Sequence, residues 1–176
     1  NCEDKGYTTF WEKVIPKADE VFAPEVIQPS LIMLLTATLA GFYFLLVPEI
    51  SNHLGIENKG LFYVVNVVFI VVTRFIAGRM TDKYGARKNL YVSLVILTIA
   101  SLITAMVSTV EMFMLASIVY GIGAAISSPA LFAWTADLAN PVYKGRGMST
   151  MFIALEIGIF LGNYVGQKIY QNNVEN

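Results

Sequence analysis

The sequence predicts an all-α membrane protein with five transmembrane helices. First, 56% of its 176 residues are hydrophobic and 14% are charged, whereas roughly a quarter of the residues of a soluble domain are charged. Second, the chain contains five long apolar stretches, and its mean hydropathy is +0.60. Third, the densest basic cluster lies between the second and third stretches. Because backbone polar groups cannot stay unpaired in lipid, stretches this apolar are expected to be helices.

Each apolar stretch is long enough to cross the hydrocarbon core, which takes about 20 helical residues at 1.5 Å each. The stretches are residues 26–48, 60–78, 89–110, 112–136 and 147–167, and their only charged residues are Arg74 and Glu156. Residues 169–176 are predicted to form an extracytoplasmic loop. The predicted helices cover residues 26–48, 60–81, 89–109, 112–138 and 146–168.

Residues 1–25 form a polar segment that we expect to be a cytoplasmic linker. Within it, apolar and aromatic residues recur at the spacing of one helical stripe, which predicts a short amphipathic helix in the membrane interface. Pro16 ends this helix because proline interrupts helical hydrogen bonding. The alternative is a soluble linker with one apolar face. The stripe consists of Tyr7, Phe10, Trp11, Val14 and Ile15.

The loops alternate in charge, and this alternation predicts the orientation of the chain. Four basic residues follow the second stretch, and Lys144 and Arg146 follow the fourth. The segment 49–59 has two Glu and one Lys, and the loop before the fourth stretch has Glu111. Loops rich in Lys and Arg stay in the cytoplasm. Residues 1–25 are therefore expected on the cytoplasmic side of the inner cell membrane, and the fifth helix is expected to end outside.

Composition argues against several other classes of function. The net charge is −1, so nucleic acid is not expected as a partner. The single cysteine, Cys2, and the single histidine, His53, cannot form a disulfide or a zinc site by themselves. The sequence has no nucleophile triad and no phosphate-binding loop. We therefore predict a protein that is not an enzyme, that has no catalytic residues, cofactor or metal, and whose surroundings are the lipid bilayer.

The basic cluster, residues 78–88, has a composition suited to a contact between helices. Gly78 and Gly85 allow close approach and unusual backbone angles. Asp82 is unfavourable at the negative C-terminal end of its own helix, so we expect it to meet the N-terminus of another helix or a nearby Arg. The alternative is a generic positive loop that only sets the topology.

Residues 78–88 resemble motif A of the major facilitator superfamily, written G-x-L-a-D-r-x-G-r-k. Met80 stands in the place of Leu, and Ala86 replaces the first basic residue after the second glycine. The resemblance implies a half bundle of the general-substrate-transporter type, which belongs to a secondary transporter that moves a small molecule by alternating access. It also implies that this segment is a cytoplasmic gate in which Asp82 contacts the opposite half. The gating residues are then Gly78, Arg79, Asp82, Lys83, Gly85, Arg87 and Lys88.

Carriers of this superfamily have twelve helices in two six-helix halves, and the chain resembles the C-terminal half. In N-terminal halves the fourth helix carries an arginine before a glycine-rich stretch, whereas here Ser117 precedes residues 121–125. A polar leader such as residues 1–25 resembles the end of the loop that joins the halves. We expect residues 26–168 to be one transmembrane half-domain, helices seven to eleven of a bacterial drug-efflux-like carrier, whose partner is the missing N-terminal half.

Glu156 lies near the middle of the fifth stretch, and therefore near the bilayer midplane. A charge at that depth costs roughly 2.5–3.5 kcal/mol on insertion scales. The side chain is therefore expected to face the bundle interior or a water-filled cavity. The functional interpretation is proton coupling or recognition of a cationic substrate. The alternative is a protonated carboxyl group that is hydrogen-bonded to a neighbouring helix.

The fifth stretch also carries Gly158, Gly162 and Gly166 at four-residue spacing, which predicts helix packing. Small residues at this spacing allow helix backbones to approach in lipid, where packing drives association. The stretch loosely resembles the superfamily's antiporter motif, G-P-x-x-G-G, with Asn163 in place of the proline and Gln167 in place of the last glycine. This resemblance suggests efflux by antiport.

Several polar side chains inside the apolar stretches are candidates for lining a substrate cavity. Pro129 removes one backbone donor and is expected to kink the fourth helix, with Ser127 and Ser128 satisfying the freed carbonyls. Such a kink either exposes carbonyls to a cavity or is a static bend in a packed helix. The candidate lining residues are Tyr43, Asn66, Ser127, Ser128 and Trp134.

Two charged residues near the basic cluster are candidates for a charge network. Arg74 lies one turn deeper and is expected to extend its side chain to the interface or to join the cluster. Asp137 lies at the cytoplasmic end of the fourth helix and is a candidate partner of Arg79 or Arg87.

Other functions compete with proton-driven transport. A small membrane scaffold or assembly subunit would work as five helices alone. An intramembrane enzyme would need clustered His, Ser or Asp at one depth, and His53 lies outside the stretches. Facilitated diffusion is the alternative to proton coupling. The sequence favours transport because the motif joins two predicted membrane helices.

Overall fold

The computed structural model describes residues 22–58, 60–140 and 144–174. A short 3₁₀ helix, Pro24–Val26, leads into the first of five α-helices. Each α-helix is long and apolar enough to cross a membrane, so the predicted all-α class with five spans is confirmed. The interfacial helix predicted around residues 7–15 lies outside the described residues. The helices are α1 Ile27–His53, α2 Leu61–Tyr84, α3 Ala86–Ala105, α4 Val110–Leu138 and α5 Lys144–Val174.

α1 extends beyond its predicted end at residue 48. Pro48 lies inside the helix, and an interior proline leaves the carbonyl four residues earlier without its usual donor. Here that carbonyl belongs to Phe44, and the Tyr63 hydroxyl of α2 donates to it at 3.2 Å. This replacement hydrogen bond explains how the helix continues through Pro48 to His53.

The segment 78–88 is helical on both sides of a single residue, where the sequence predicted a loop. α2 continues to Tyr84, α3 begins at Ala86, and Gly85 between them has φ 85° and ψ 150°. Residues with a side chain are strongly disfavoured in this conformation. Glycine therefore permits a one-residue hinge, and the Asn89 amide donates across it to Thr81 Oγ1 at 3.1 Å.

The next two boundaries also differ from the predicted ones for local reasons. α3 ends at Ala105, and the Thr109 side chain accepts a hydrogen bond from the Met112 N–H at 3.3 Å. This N-cap starts α4 two residues early. α5 continues to Val174 because residues 169–174 contain neither glycine nor proline to end it. The predicted outer loop is thus helical as far as 174.

α1 packs along α5 through glycines. A Cβ atom added at Gly158 would lie 2.5 Å from the Leu34 carbonyl oxygen, and one added at Gly162 would collide with the Thr38 carbonyl. The two backbones are therefore in direct contact. Such close approach is how helices gain packing energy in lipid, where burial from water supplies none.

α4 lies at the centre of the bundle and packs against both α2 and α3. The Asn66 amide of α2 donates to the Ser117 carbonyl at 3.1 Å, and the Ser117 hydroxyl donates back to the Phe62 carbonyl at 2.7 Å. On its other side, Leu97 of α3 packs against Gly123. Buried polar groups at the α2–α4 contact are thus paired with one another, as a low-dielectric interior requires.

The faces of α2 and α3 that point away from α4 are apolar. A surface of this composition suits hydrocarbon or another apolar helix bundle, because contact with water would be unfavourable over so large an area. The exposed side chains include Val64, Val68, Val71 and Phe75 on α2 and Tyr91, Val95, Ile99 and Leu102 on α3.

Candidate functional site: the central cavity and the α2–α3 hinge

A cavity of about 130 Å³ lies between α1, α3, α4 and α5. The polar residues that line it are Thr36 on α1 and Tyr120, Ser127 and Ser128 on α4. The other lining residues are Met, Ala, Leu and Ile, and no charged side chain of the described chain lines it. The cavity therefore suits a small, largely apolar molecule that is held by dispersion contacts and a few hydroxyl hydrogen bonds.

Ser127 and Ser128 reach the cavity wall next to Pro129, yet their hydroxyls turn back onto their own helix. Both donate to the Ala124 carbonyl, at 3.2 and 3.1 Å. The carbonyl that Pro129 deprives of a donor is that of Ala125, so the serines do not satisfy the freed group as expected. Each hydroxyl oxygen keeps lone pairs with which it can accept a hydrogen bond from a solute.

Tyr43 and Asn66 do not line the cavity but support the helices around it. Tyr43 is 4% exposed, its hydroxyl lies 2.7 Å from Thr104 Oγ1, and its ring stacks on Tyr120 with centroids 4.2 Å apart. Asn66 is 7% exposed, with its amide bonded to the Ser117 carbonyl. Tyr43 therefore positions the aromatic part of the wall, and Asn66 joins α2 to α4.

Trp134 lies towards the C-terminal end of α4, does not line the cavity, and contacts the hinge. The Arg87 guanidinium carbon lies 5.2 Å from the centre of the indole ring, a cation–π geometry. Asp137, one turn later, is exposed, and among the described side chains it forms no ion pair with Arg79 or Arg87. The hinge therefore meets α4 through an aromatic ring, where the sequence suggested a carboxylate.

Side chains along the last turns of α2 outline an open groove of about 420 Å³ on the outer surface of the bundle, and all of its lining residues belong to α2. Arg79 and Lys83 supply its positive charge, and the Lys83 ammonium lies 5.3 Å from the centre of the Tyr84 ring. The Asp82 side chain lies outside the described part of the structure. We call this surface the basic groove, and it is formed by Phe75, Ile76, Arg79, Met80, Lys83 and Tyr84.

The remaining candidates near the hinge lie on the surface. Arg74 and Lys88 are exposed. Gly78 is also exposed, and no atom lies within 4 Å of the position that a Cβ would take. The structure therefore leaves these positions open to lipid headgroups, water or another protein segment.

Glu156 lies midway between Lys144 and Lys168, the ends of the apolar part of α5. Its neighbours Leu155 and Ile159 line the cavity, but the Glu156 side chain is exposed on the bundle surface. Among the described residues it has no hydrogen-bond or ion-pair partner. The five helices alone therefore leave a carboxyl group at mid-membrane uncovered, which lipid would disfavour.

Sequence reasoning missed two cavity residues, Thr36 and Tyr120. Both are polar residues inside apolar stretches, which is the sequence pattern by which the other cavity candidates were chosen. α1 and α4 contain several such residues, and only the packing of the helices shows which of them line the cavity. No group of three His, Cys, Asp or Glu side chains comes together within 22–58, 60–140 and 144–174.

Similarity to known proteins agrees with this architecture. The family model described as Major Facilitator Superfamily matches residues 30–173. The chain is 26% identical over 114 residues to multidrug resistance protein 2 of Bacillus subtilis strain 168, covering 65% of the chain and 28% of that relative. It is 25% identical over 128 residues to multidrug resistance protein 1 of the same strain, covering 72% of the chain and 33% of that relative.

A further relative is the 3-(3-hydroxy-phenyl)propionate transporter of Escherichia coli K12, 25% identical over 109 residues, which cover 62% of the chain and 27% of that protein. The matched part of the chain thus spans about a quarter to a third of these relatives. No solved structure shows significant similarity to the chain. The family match and the five apolar helices agree with a multi-pass membrane protein. The chain belongs to the major facilitator superfamily.

Proposed function

We propose that the chain is the C-terminal half of a twelve-helix carrier that moves a small solute across the inner membrane by alternating access. The observation that carries this proposal is the cavity between α1, α3, α4 and α5 in a chain of this superfamily. Its hydroxyls give a solute directional contacts, and its aliphatic wall gives dispersion contacts.

The wall also indicates the class of solute. Tyr120, held by its stack on Tyr43, presents an aromatic group at the cavity. Stacked or edge-on contacts with such a ring favour aromatic partners. One relative is named for an aromatic acid, 3-(3-hydroxy-phenyl)propionate, which agrees with this preference. We therefore propose small, partly aromatic solutes.

The opposite half is proposed to cover the exposed faces of α2 and α5. Phe75 of α2 is 78% exposed and Phe160 of α5 is 67% exposed. The Glu156 side chain, whose depth in the membrane lies between those of the two rings, is also exposed. A second half would bury these rings and give the carboxyl polar or aqueous surroundings. The basic residues at the α2–α3 hinge favour the cytoplasmic side for this end and for residues 1–25.

The hinge at Gly85 is proposed to be the cytoplasmic gate. The basic groove offers the opposite half a surface on which to close, and the resemblance to motif A makes Asp82 the acidic contact of the gate. The contact between Arg87 and Trp134 ties the hinge to α4, whose Ser128 lines the cavity. A change at the gate would thus move the cavity wall through one rigid helix.

Transport is proposed to be coupled to protons through Glu156. A carboxyl at mid-membrane changes charge when it gains or loses a proton, and this change alters the free energy of any state that exposes it to lipid or buries it. One state of the carrier would then favour the protonated form of Glu156, and the other state would favour the ionised form.

Solute counterflow in proteoliposomes tests the proposal. The carrier polypeptide that contains this chain is reconstituted into vesicles loaded with 3-(3-hydroxy-phenyl)propionate or with a fluorescent aromatic cation. The same compound is then added outside in trace amounts, and its entry is followed. We expect counterflow of at least one compound. Ser128→Leu, which fills the cavity, should slow it at least about tenfold. Thr98→Leu is the control because Thr98 is exposed on α3, away from the cavity.

Absence of counterflow for both compounds, with a carrier that remains monodisperse in detergent, would contradict transport of this solute class and favour the scaffold alternative. Equal slowing by Ser128→Leu and Thr98→Leu would contradict the placement of the solute in the cavity.

A further inference from the structure

α5 carries three polar residues at seven-residue spacing, Ser149, Glu156 and Asn163. Seven residues are nearly two turns of an α-helix, so these side chains follow one another along the same line with a drift of only about 20° per step. The line extends over about 21 Å of the helix at 1.5 Å per residue. We call these three residues the polar stripe of α5.

The position of the stripe on α5 follows from the packing of its neighbours. The side of the helix that contacts α1 carries Gly158 and Gly162, and the side that faces the cavity carries Leu155 and Ile159. The stripe lies next to the cavity side, about 100° from Leu155 and away from α1. Glu156 is exposed there, and Ser149 and Asn163 are partly exposed.

Beyond the stripe, the exposed face of α5 becomes apolar. Ile153, Ile157, Phe160 and Tyr164 occupy it, each at least 46% exposed. The exposed surface of one helix is therefore divided lengthwise into a polar line beside the cavity and an apolar band further round. Polar side chains that face lipid are costly, whereas an apolar band suits it.

The chemistry of the stripe points to a cation. Glu156 is the single ionisable group on it, and the neighbouring cavity contributes only hydroxyls among its described polar groups. The Asn163 amide donates to the Ile159 carbonyl at 3.0 Å, so its oxygen is the end left to accept a hydrogen bond. The Ser149 hydroxyl and the Asn163 amide thus place oxygen atoms on either side of a carboxyl group.

We propose that the polar stripe of α5 is the wall of a hydrated path along which water and small cations, protons among them, reach Glu156, from one membrane face in one state of the carrier and from the opposite face in the other state. The inference rests on the proposed carrier function and deepens it, because it names the surface that delivers the ion. Ser149 and Asn163 are positioning residues of this path, and Glu156 is its charged centre. The apolar band beside them faces the apolar surface of the opposite half.

Thiol labelling in the assembled carrier tests this proposal. In a background with Cys2 and every other cysteine of the carrier changed to Ser, single cysteines are placed by Ser149→Cys, Glu156→Cys and Asn163→Cys. Ile157→Cys and Tyr164→Cys are matched controls on the apolar band, each one residue from a stripe position. Labelling by membrane-impermeant thiosulfonates, one positively and one negatively charged, is timed in proteoliposomes. A permeant thiol reagent in denaturant counts the total cysteine of each variant.

We expect the stripe positions to react at least about tenfold faster than the controls, because the impermeant reagents act only on thiols in water. At Asn163→Cys the ratio of the positive reagent's rate to the negative reagent's rate should exceed the ratio measured on a free thiol in water by on the order of fourfold, as a carboxylate about 10 Å away in water requires. Adding Glu156→Gln should return that ratio to the free-thiol value while leaving labelling by either reagent fast.

Equal rates at stripe and control positions would overturn the hydrated path. Fast labelling with a positive-to-negative rate ratio no higher than that of a free thiol would overturn its selectivity for cations. Both results are independent of counterflow, because labelling needs no solute. A carrier that shows the stripe pattern but transports neither compound would thus refute the proposed solute class and keep the path.

Discussion

At the scale of single residues, the contact between α1 and α5 depends on glycines that differ in what surrounds them. At Gly158 and Gly162 the space that a Cβ would need is taken by backbone carbonyls of α1, which cannot move aside independently. At Gly166 the nearest atom is instead the Phe42 ring, 3.1 Å from the Cβ position. A ring can rotate, so the first two positions are more demanding than the third.

Gly162→Ala is therefore expected to destabilise the bundle by about 1–3 kcal/mol, the usual range for overpacking in a close-packed interior. Thermal unfolding in detergent measures this loss. Gly145→Ala in the same helix is the control, because no atom lies within 4 Å of its Cβ position. Equal melting temperatures for the two variants would show that α1 and α5 are not in backbone contact.

A second residue-scale prediction concerns the hydroxyl of Tyr63, which replaces the donor that Pro48 lacks. Tyr63→Phe should cost about 0.5–1.5 kcal/mol of stability, the net value of one hydrogen bond. In a Pro48→Ala background the backbone N–H returns to the Phe44 carbonyl, so the same change should cost less. A double-mutant cycle by thermal unfolding measures the difference, and additive effects would contradict the replacement role.

At the scale of elements, the turn between α2 and α3 consists of one residue. Gly85 has a φ of 85°, while the Asn89–Thr81 hydrogen bond closes the turn from either side. No atom lies within 4 Å of a Cβ at Gly85, so any penalty for a side chain there comes from the backbone conformation alone. The hinge thus requires a backbone conformation that favours glycine, although there is space for a side chain at this position.

Gly85→Ala should therefore destabilise the chain by about 1–3 kcal/mol, the range for a strained backbone at a residue with a side chain. Gly78→Ala, in the exposed helical part of the same motif, should have the opposite sign and stabilise by about 0.5–1 kcal/mol, since alanine is the better helix former. Thermal unfolding of both variants provides the comparison. A stabilising Gly85→Ala would mean that the hinge does not hold this backbone conformation.

The elements also show how far the sequence determines the structure. Composition and apolar run length were sufficient for five helices, because lipid leaves the backbone no other choice. They were insufficient for the end of α1 and the start of α4, which depend on a tertiary donor, Tyr63, and a cap, Thr109. From the sequence alone, Pro48 predicts the end of a helix. In the structure the helix continues through Pro48, because the neighbouring helix supplies the missing donor.

The candidate site was harder to predict than the fold for the same reason. Ser127 and Ser128 reach the cavity, but so do Thr36 and Tyr120, which were not singled out. Tyr43, chosen for its polar tip, instead packs beneath the cavity wall. Which polar residue of an apolar helix faces a cavity is decided by the rotation of that helix against its neighbours, and helix rotation leaves little trace in a single sequence.

At the scale of the whole molecule, the bundle is organised around α4 and leaves large apolar surfaces without a partner in the described chain. The outer faces of α2 and α5 carry exposed Phe75 and Phe160, and α5 also carries the uncovered Glu156. An apolar surface alone would suit lipid, but a carboxyl group at mid-membrane does not. The need to cover or hydrate Glu156 is what connects the fold to the proposed proton-coupled transport.

Solute accumulation driven by a pH gradient in proteoliposomes tests this connection most directly. The carrier is compared with its Glu156→Gln variant, using a solute for which counterflow has been established. We predict that a protonophore abolishes accumulation by the unmodified carrier, and that Glu156→Gln keeps counterflow but accumulates no solute. Full gradient-driven accumulation by Glu156→Gln would contradict the role of Glu156 in coupling.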